Sequence, residues 1–281
     1  MPEIAYVNGK FLPLDQATVS VEDRGFQFAD SVYEVLRTYG GKPFAPDEHL
    51  ARLFRSLDAI ELRHGFTADG LKSVIHEAVH RAAFDEAVIY LQITRGNAPR
   101  HRGGRPGTPP TIVLTVRRLE PMAADRRQAG MAVITVPDDR WAHCDIKSVA
   151  LLANVLAYHR ARAAGADDSV FVGADGTVAE TTAGNIFLIT AGQLRTPPKG
   201  PRILAGVTRD KVLAAARGAG IPCAEEPIRR EELPSAAELF ITSTTAEVVA
   251  VTAVDGQKIG GGQCGPLTCR VYEEFQRFVR T

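Results

Sequence analysis

The sequence predicts a two-domain α/β protein of α+β character. Three observations predict it. Strand-like and helix-like patterns alternate along nearly the whole chain. Residues 118–130 carry charges without a period and read as a linker between an N-terminal α/β domain, 1–117, and a C-terminal one, 131–281. The 281 residues, 45% hydrophobic and 23% charged, have the ordinary balance of a chain that buries a real core. A formal net charge of zero argues against a nucleic-acid or anionic-membrane partner. No apolar run approaches membrane-spanning length. Met1-Pro2-Glu3-Ile4 lacks the basic and apolar segments of a signal peptide. Cys144, Cys223, Cys264 and Cys269 fit neither a zinc spacing nor a disulfide framework, and read as reduced thiols of a cytoplasmic protein.

Taken in order, residues 4–13 are strand, Asn8-Gly9 turn and strand, a hairpin signal. Ser31 to Tyr39 alternates to two faces and stops at Gly40-Gly41. Residues 47–62 form a helix with Leu50, Leu53, Phe54, Leu57 and Ile60 in one stripe, and Arg52 off it. A second helix runs from about Thr67 to Ala83, and strands follow over 87–94 and 111–117. The intervening loop, Gly96 to Pro110, is rich in Gly, Pro and Arg, the composition of a functional or mobile segment. Beyond the linker, strands are expected near 131–136, 169–173, 185–189 and 238–243, with helices near 149–164, 207–219 and 266–279. No internal repeat or low-complexity segment is present.

The chemistry centres on Cys144-Asp145-Ile146-Lys147-Ser148, with Arg140-Trp141 just upstream and an alanine-rich, apolar pattern from Val149 to Ala164 that reads as a buried helix. A lysine at a helix start opposes the helix dipole, so its presence there asks for a reason. Three further stretches fit one chemistry. Ala179-Glu180-Thr181-Thr182-Ala183-Gly184-Asn185 offers a carboxylate before small polar residues. Gly206-Val207-Thr208 opens a helix whose first N–H groups can hold an anion. Glu238 to Thr245 runs a strand into a cluster of hydroxyls. One amine, one carboxylate and two phosphate cups are what pyridoxal 5′-phosphate needs.

Two textual matches fail their context. His76-Glu77-Ala78-Val79-His80 has the zinc-protease spacing, but no third ligand follows at a recognised distance, so a zinc hydrolase is a remote alternative and no metal is expected. Gly260-Gly261-Gly262-Gln263-Cys264-Gly265 leaves too little chain for a dinucleotide fold and reads as a turn before the last helix.

Taken together, Glu22-Asp23-Arg24-Gly25-Phe26-Gln27-Phe28-Ala29-Asp30, Val32-Tyr33-Glu34-Val35, Glu48-His49-Leu50-Ala51-Arg52-Leu53, the Lys147 and Glu180 stretches and Phe240 to Glu247 resemble the fold-type IV pyridoxal-phosphate enzymes, most closely their D-amino acid aminotransferases. The resemblance implies a two-domain transferase with the cofactor between the domains, in a family that forms homodimers. It implies that Lys147 is the Schiff-base and catalytic lysine. Arg52, Val207, Thr208, Ser243 and Thr244 would hold the phosphate, Leu204 would pack on the ring face, and Glu180 would face the ring nitrogen. Asn185 would serve the local turn. Tyr33, Arg100, and His101 or Arg102, with Thr182, would meet an amino donor or a 2-oxo acid acceptor. Arg100-His101-Arg102 departs from the family's Arg, one residue, His; Thr182-Ala183-Gly184 replaces a serine run. These departures bear on substrate range. Branched-chain aminotransferase, (R)-amine transaminase and aminodeoxychorismate lyase are the alternatives of the same fold, and side activity on (R)-amines is part of the leading reading.

Overall fold

The computed structural model describes residues 3–280 and divides into two compact units. Met1 and Pro2, on which the reading of no signal peptide partly rests, lie outside the described residues. One unit comprises Met1–Glu120 with Ile146–Ala150; the other comprises Pro121–Asp145 and Leu151–Thr281.

The first unit contains β1 (Ile4–Val7), β2 (Lys10–Pro13), α1 (Arg24–Phe28), β3 (Ser31–Tyr39), β4 (Lys42–Pro43), α2 (Pro46–Ala59), α3 (Ala68–Ala82), β5 (Ala87–Thr94) and β6 (Thr111–Arg118). Its antiparallel sheet has the order β2-β1-β6-β5-β3-β4. Asn8 and Gly9 both take positive φ, 46° and 95°, as a tight hairpin turn requires. Leu53 and Leu57 of α2 and Ile75 of α3 pack with Leu36, Ile89, Leu91 and Leu114 from the sheet. The inward face of α2 is not purely apolar: His49, Arg52 and Ser56 are buried beside Leu50, Leu53 and Leu57. Helical spacing puts Arg52 off the apolar stripe, yet it lies inside, 4% exposed, because a buried carboxylate on β3 receives it.

The second unit contains α4 (Ala124–Ala129), β7 (Met131–Pro137), α5 (Leu152–Ala163), β8 (Asp168–Val172), β9 (Val178–Thr181), β10 (Asn185–Thr190), β11 (Gln193–Thr196), α6 (Val207–Gly218), β12 (Cys223–Glu225), β13 (Glu238–Ser243), β14 (Glu247–Val254), β15 (Gln257–Lys258) and α7 (Pro266–Arg280). Its sheet runs β12-β11-β10-β13-β14-β7-β8-β9, with β15 beside β14. Pairings are antiparallel except β11–β12, β14–β7 and β7–β8. The sequence pattern does not reveal β9, β11, β12, β14 and β15. All but β14 are short, with four residues or fewer. Strand β14 is an apolar run buried on nearly every residue, where period-two alternation is lost.

Three expectations change around the lysine. The helix starts at Leu152, not Val149, so Lys147 stands before it and opposes no dipole. Its segment makes an isolated bridge, Ser148 to Val32, and so belongs with the first unit, although its number falls within 131–281. The helix itself is not buried: only Ala157 and Ala161 are, while Leu152 is 70% exposed and Leu156 and Tyr158 nearly half. Within the linker, residues 124–129 form α4 and pack on β14 as part of the second unit.

Candidate active site

In the first unit, strand β3 gathers the charged residues. Glu34 is wholly buried and accepts from Arg52 through both oxygens, Nε to Oε1 at 2.7 Å and Nη2 to Oε2 at 2.8 Å. His49 Nδ1 meets Oε2 at 2.8 Å. Burial works to raise the Glu34 pKa, but the Arg52 charge and the bonds from Arg52 and His49 outweigh it and hold the carboxyl down at about 2. His49 is pushed below its ordinary value, first by burial, against the pull of Glu34, with the charges of Arg52 and Lys147 adding to the depression. Facing the Glu34 carboxylate, which can only accept, Nδ1 is the donor.

Lys147 is fixed by its backbone. Its N–H donates to Ser56 Oγ at 3.2 Å and its carbonyl accepts from Tyr33 N–H at 2.9 Å. Its Nζ lies 4.2 Å from the centroid of the Tyr33 ring, which in turn stacks on Tyr90 at 5.5 Å. Burial, with Tyr33 nearby, pushes the Tyr90 phenol up to about 12, so it stays a neutral donor, to Gln92 Oε1 at 2.8 Å. Tyr33, Lys147, Arg52, His49 and Glu34 thus share one unit.

In the second unit, Glu180 is buried at the end of β9 and three donors converge on it. Arg140 Nη1 reaches Oε1 at 2.7 Å; Asn185 Nδ2 and the Leu204 N–H reach Oε2 at 3.2 and 3.1 Å. Arg140 also grips Asp138, Nε to Oδ1 at 2.8 Å and Nη2 to Oδ2 at 2.9 Å. Although burial opposes it, Asp138 and Glu180 push the Arg140 pKa above its ordinary value, so the guanidinium is a fixed cation. Its face covers the Phe171 ring at 4.2 Å. Asn185 does more than support a turn: it ties Glu180 to the Leu204 carbonyl at 2.9 Å. Sequence reasoning places Arg140 in the motif without giving it a partner, and no local spacing signals a contact with a residue so far along the chain.

The two hydroxyl-bearing stretches fall at a helix start and a strand end. Val207 and Thr208 open α6 and are buried. Gly206 precedes them, and a Cβ there would come within 2.0 Å of Asn185 Oδ1. Ser243 ends β13, its Oγ accepts from Ala246 N–H at 3.2 Å, and Thr244 and Thr245 follow in the turn to β14. The neighbouring Thr242 Oγ1 is buried without a hydrogen-bond partner.

The candidate substrate residues divide. Tyr33 lies with the lysine. Arg100, His101 and Arg102 are exposed on the Gly96–Pro110 loop of the same unit. Arg100 donates to the Gln27 carbonyl at 3.1 Å and covers the Phe28 ring at 4.4 Å. Thr182, in the other unit, donates its hydroxyl to Asp168 at 2.6 Å. Burial pushes the Cys144 thiol up to about 11, despite the Arg140 charge, and its Sγ donates to the Trp141 carbonyl at 3.2 Å. His76 and His80 are exposed on α3, and among the described residues no cluster could hold a metal ion.

The amino-transferase class IV family model matches residues 31–254. The chain belongs to this family. It is therefore a pyridoxal-phosphate-dependent aminotransferase with a fold-type IV architecture. It is 41% identical to a D-alanine aminotransferase of Bacillus licheniformis over 273 residues, covering 97% of this chain and 95% of that one. A D-alanine aminotransferase of Staphylococcus haemolyticus is 36% identical over 277 residues, 98% of each chain. Among solved structures, a T.th. branched-chain amino acid aminotransferase with pyridoxamine 5′-phosphate superposes with a TM-score of 0.91 at 26% identity, covering 98% of this chain and 93% of that one. None of the described helices is long and apolar enough to cross a membrane.

Proposed function

We propose that this aminotransferase moves an amino group between a D-amino acid, of the D-alanine or D-glutamate type, and a 2-oxo acid, with side activity on (R)-primary amines. The observation that carries the reading is the full-length likeness to D-alanine aminotransferases at 36–41% identity. The donor set fits pyridoxal 5′-phosphate: a lysine amine, a pinned arginine, a helix start with a buried hydroxyl, a hydroxyl turn with an orphaned Thr242 Oγ1, and a buried carboxylate fed by three donors.

The roles follow from these settings. Lys147 would hold the cofactor through its amine and would serve as the catalytic base and acid that moves the substrate Cα proton. The Tyr33 ring and the two backbone bonds hold its amine in one place. Arg52 would hold the phosphate; with Nε and Nη2 fixed by Glu34, its guanidinium plane is set in advance. Val207 N–H, Thr208, Ser243 and Thr244 would complete the phosphate contacts, and Leu204 would pack on the ring. Glu180 would favour a protonated ring nitrogen by opposite charge. The bound cofactor supplies an electron sink for negative charge at the substrate Cα. Tyr33 and Arg100, with His101 or Arg102, hold the substrate carboxylate, and Thr182 borders it. The free cysteines support a cytoplasmic setting, and the exposed apolar residues of α5 support a homodimer.

The test is a stopped-flow half-reaction with D-alanine, D-glutamate, L-leucine and (R)-1-phenylethylamine, followed by bleaching of the cofactor absorbance. The reading expects a D-amino acid to bleach fastest. Fastest bleaching by L-leucine moves the protein to the branched-chain enzymes, and by the amine to the amine transaminases. No bleaching by any of the four leaves the lyase.

A further inference from the structure

One buried arginine has no part in the chemistry above. Arg24 opens α1, is 4% exposed, and is held by Asp30, Nε to Oδ2 at 2.9 Å. Asp30 is braced in turn by Arg95, Nε to Oδ2 at 2.8 Å, and Arg95 donates to the carbonyls of Ile60 and Glu61. Asp30 Oδ2 also lies 2.8 Å from Nη2, and the fork reaches from there into the Gly96–Pro110 loop. Nη1 donates to the His101 carbonyl at 2.6 Å and Nη2 to the Arg102 carbonyl at 3.0 Å.

Those two carbonyls belong to residues whose spacing departs from the family pattern. The rest of the loop is held at its root. Arg24 N–H donates to Gly96 O at 3.0 Å and Ala98 N–H to Glu22 O at 3.2 Å. At the far limb, Gly96 takes a φ of 87° and a Cβ there would meet the Pro109 carbonyl at 2.0 Å. Between root and limb, the Arg24 side chain is a buried charged contact to the loop backbone. It lies against Phe28 at 4.9 Å, the ring that Arg100 also covers. Two charge-assisted bonds to successive carbonyls need a planar fork, which a lysine cannot present.

We infer that Arg24 is a positioning residue for the substrate carboxylate: it clamps the backbone at His101 and Arg102 and so sets where Arg100 and its neighbours present their charge. This rests on the proposal that the loop receives that carboxylate. The test uses the full-length holoenzyme and the Arg24→Lys variant, which keeps the charge and removes the fork. Losing one charge-assisted bond, about 1.5–3 kcal/mol, corresponds to at least a tenfold change. Native-state trypsin cleavage after Arg100 and Arg102 should quicken by about tenfold. The KM for D-alanine should rise by a similar factor, while kcat and cofactor retention stay within about twofold. A destabilised fold would instead shed cofactor and lower kcat. If Arg24→Lys does not fold, Asp30→Asn, which loosens the anchor of Arg24, should give the same pattern more weakly. Unchanged cleavage overturns the inference. So does faster cleavage with an unmoved D-alanine KM when Arg100→Ala, run alongside, raises it. If Arg100→Ala leaves that KM alone too, the carboxylate reading falls, and faster cleavage still supports the clamp.

Discussion

Each unit buries one carboxylate against one arginine, and the two pairs are built for opposite ends. In the first, Glu34 fixes Arg52 by both oxygens and takes a further bond from His49, so the carboxylate serves the arginine. In the second, Arg140 commits Nε and Nη2 to Asp138 and gives Nη1 to Glu180, whose other oxygen is held by Asn185 and the Leu204 amide. There the arginine serves the carboxylate. A buried ion pair is poor evidence of stability by itself, because desolvation cancels much of the attraction. What it supplies is an oriented group: a guanidinium plane in one unit, a carboxylate in the other. Arg140 keeps a second carboxylate, Asp138, when Glu180 is lost, whereas both oxygens of Glu34 are spent on one arginine.

That difference ranks the expected effects. Glu34→Gln removes the buried carboxylate that holds Arg52 by two bonds and should cost about 3–5 kcal/mol of stability, read from denaturant midpoints at constant slope. A cost below about 1 kcal/mol would break the comparison. Glu180→Gln should cost less stability, because Asp138 still holds Arg140, but should slow the half-reaction. Losing a charged hydrogen bond worth about 1.5–3 kcal/mol corresponds to a ten- to hundredfold slower rate. Equal stability losses for the two variants would erase the distinction. Asp138→Asn should be the mildest, about 1 kcal/mol, with turnover nearly intact, since Glu180 remains on Arg140.

The acid limb sharpens the same contrast. Glu34 titrates at about 2 in the fold against 4.5 when unperturbed, so its contribution is complete above 4.5 and is lost as pH falls through about 2. His49 adds in the same direction: its folded value lies below 6.5, so the unfolded chain binds the proton first and stability declines as pH falls below 6.5. Glu34→Gln should therefore flatten the pH dependence of stability between about 4.5 and 2. An unchanged slope across that window would count against the Glu34 assignment.

Much of this is legible in the sequence. The strand and helix periods of the first unit give β1, β2, β3, α2, α3, β5 and β6 nearly to the residue, while α1 and β4 are too short to display one. The lysine, Glu180, the Val207-Thr208 helix start and the Ser243-Thr244 turn are visible as local motifs. What stays hidden is non-local. Arg52 reads as an exposed helix arginine until Glu34 on a neighbouring strand is known to be buried beneath it. Arg140 and Glu180 are brought together by the path from β7 to β9, and no spacing encodes it. The Val149–Ala164 stretch looks like a buried helix because its alanines and leucines are apolar nearly all round, yet this unit covers little more than Ala157 and Ala161. Short strands such as β11 and β12 carry too few residues to display a period.

The central claim is that one lysine, set by the bridge to β3, carries the cofactor. Reduction of the holoenzyme with borohydride fixes the cofactor to its lysine, and mass analysis of tryptic peptides then locates the label. The account predicts the label on Lys147, with the cofactor absorbance abolished. A label on any other lysine would contradict it.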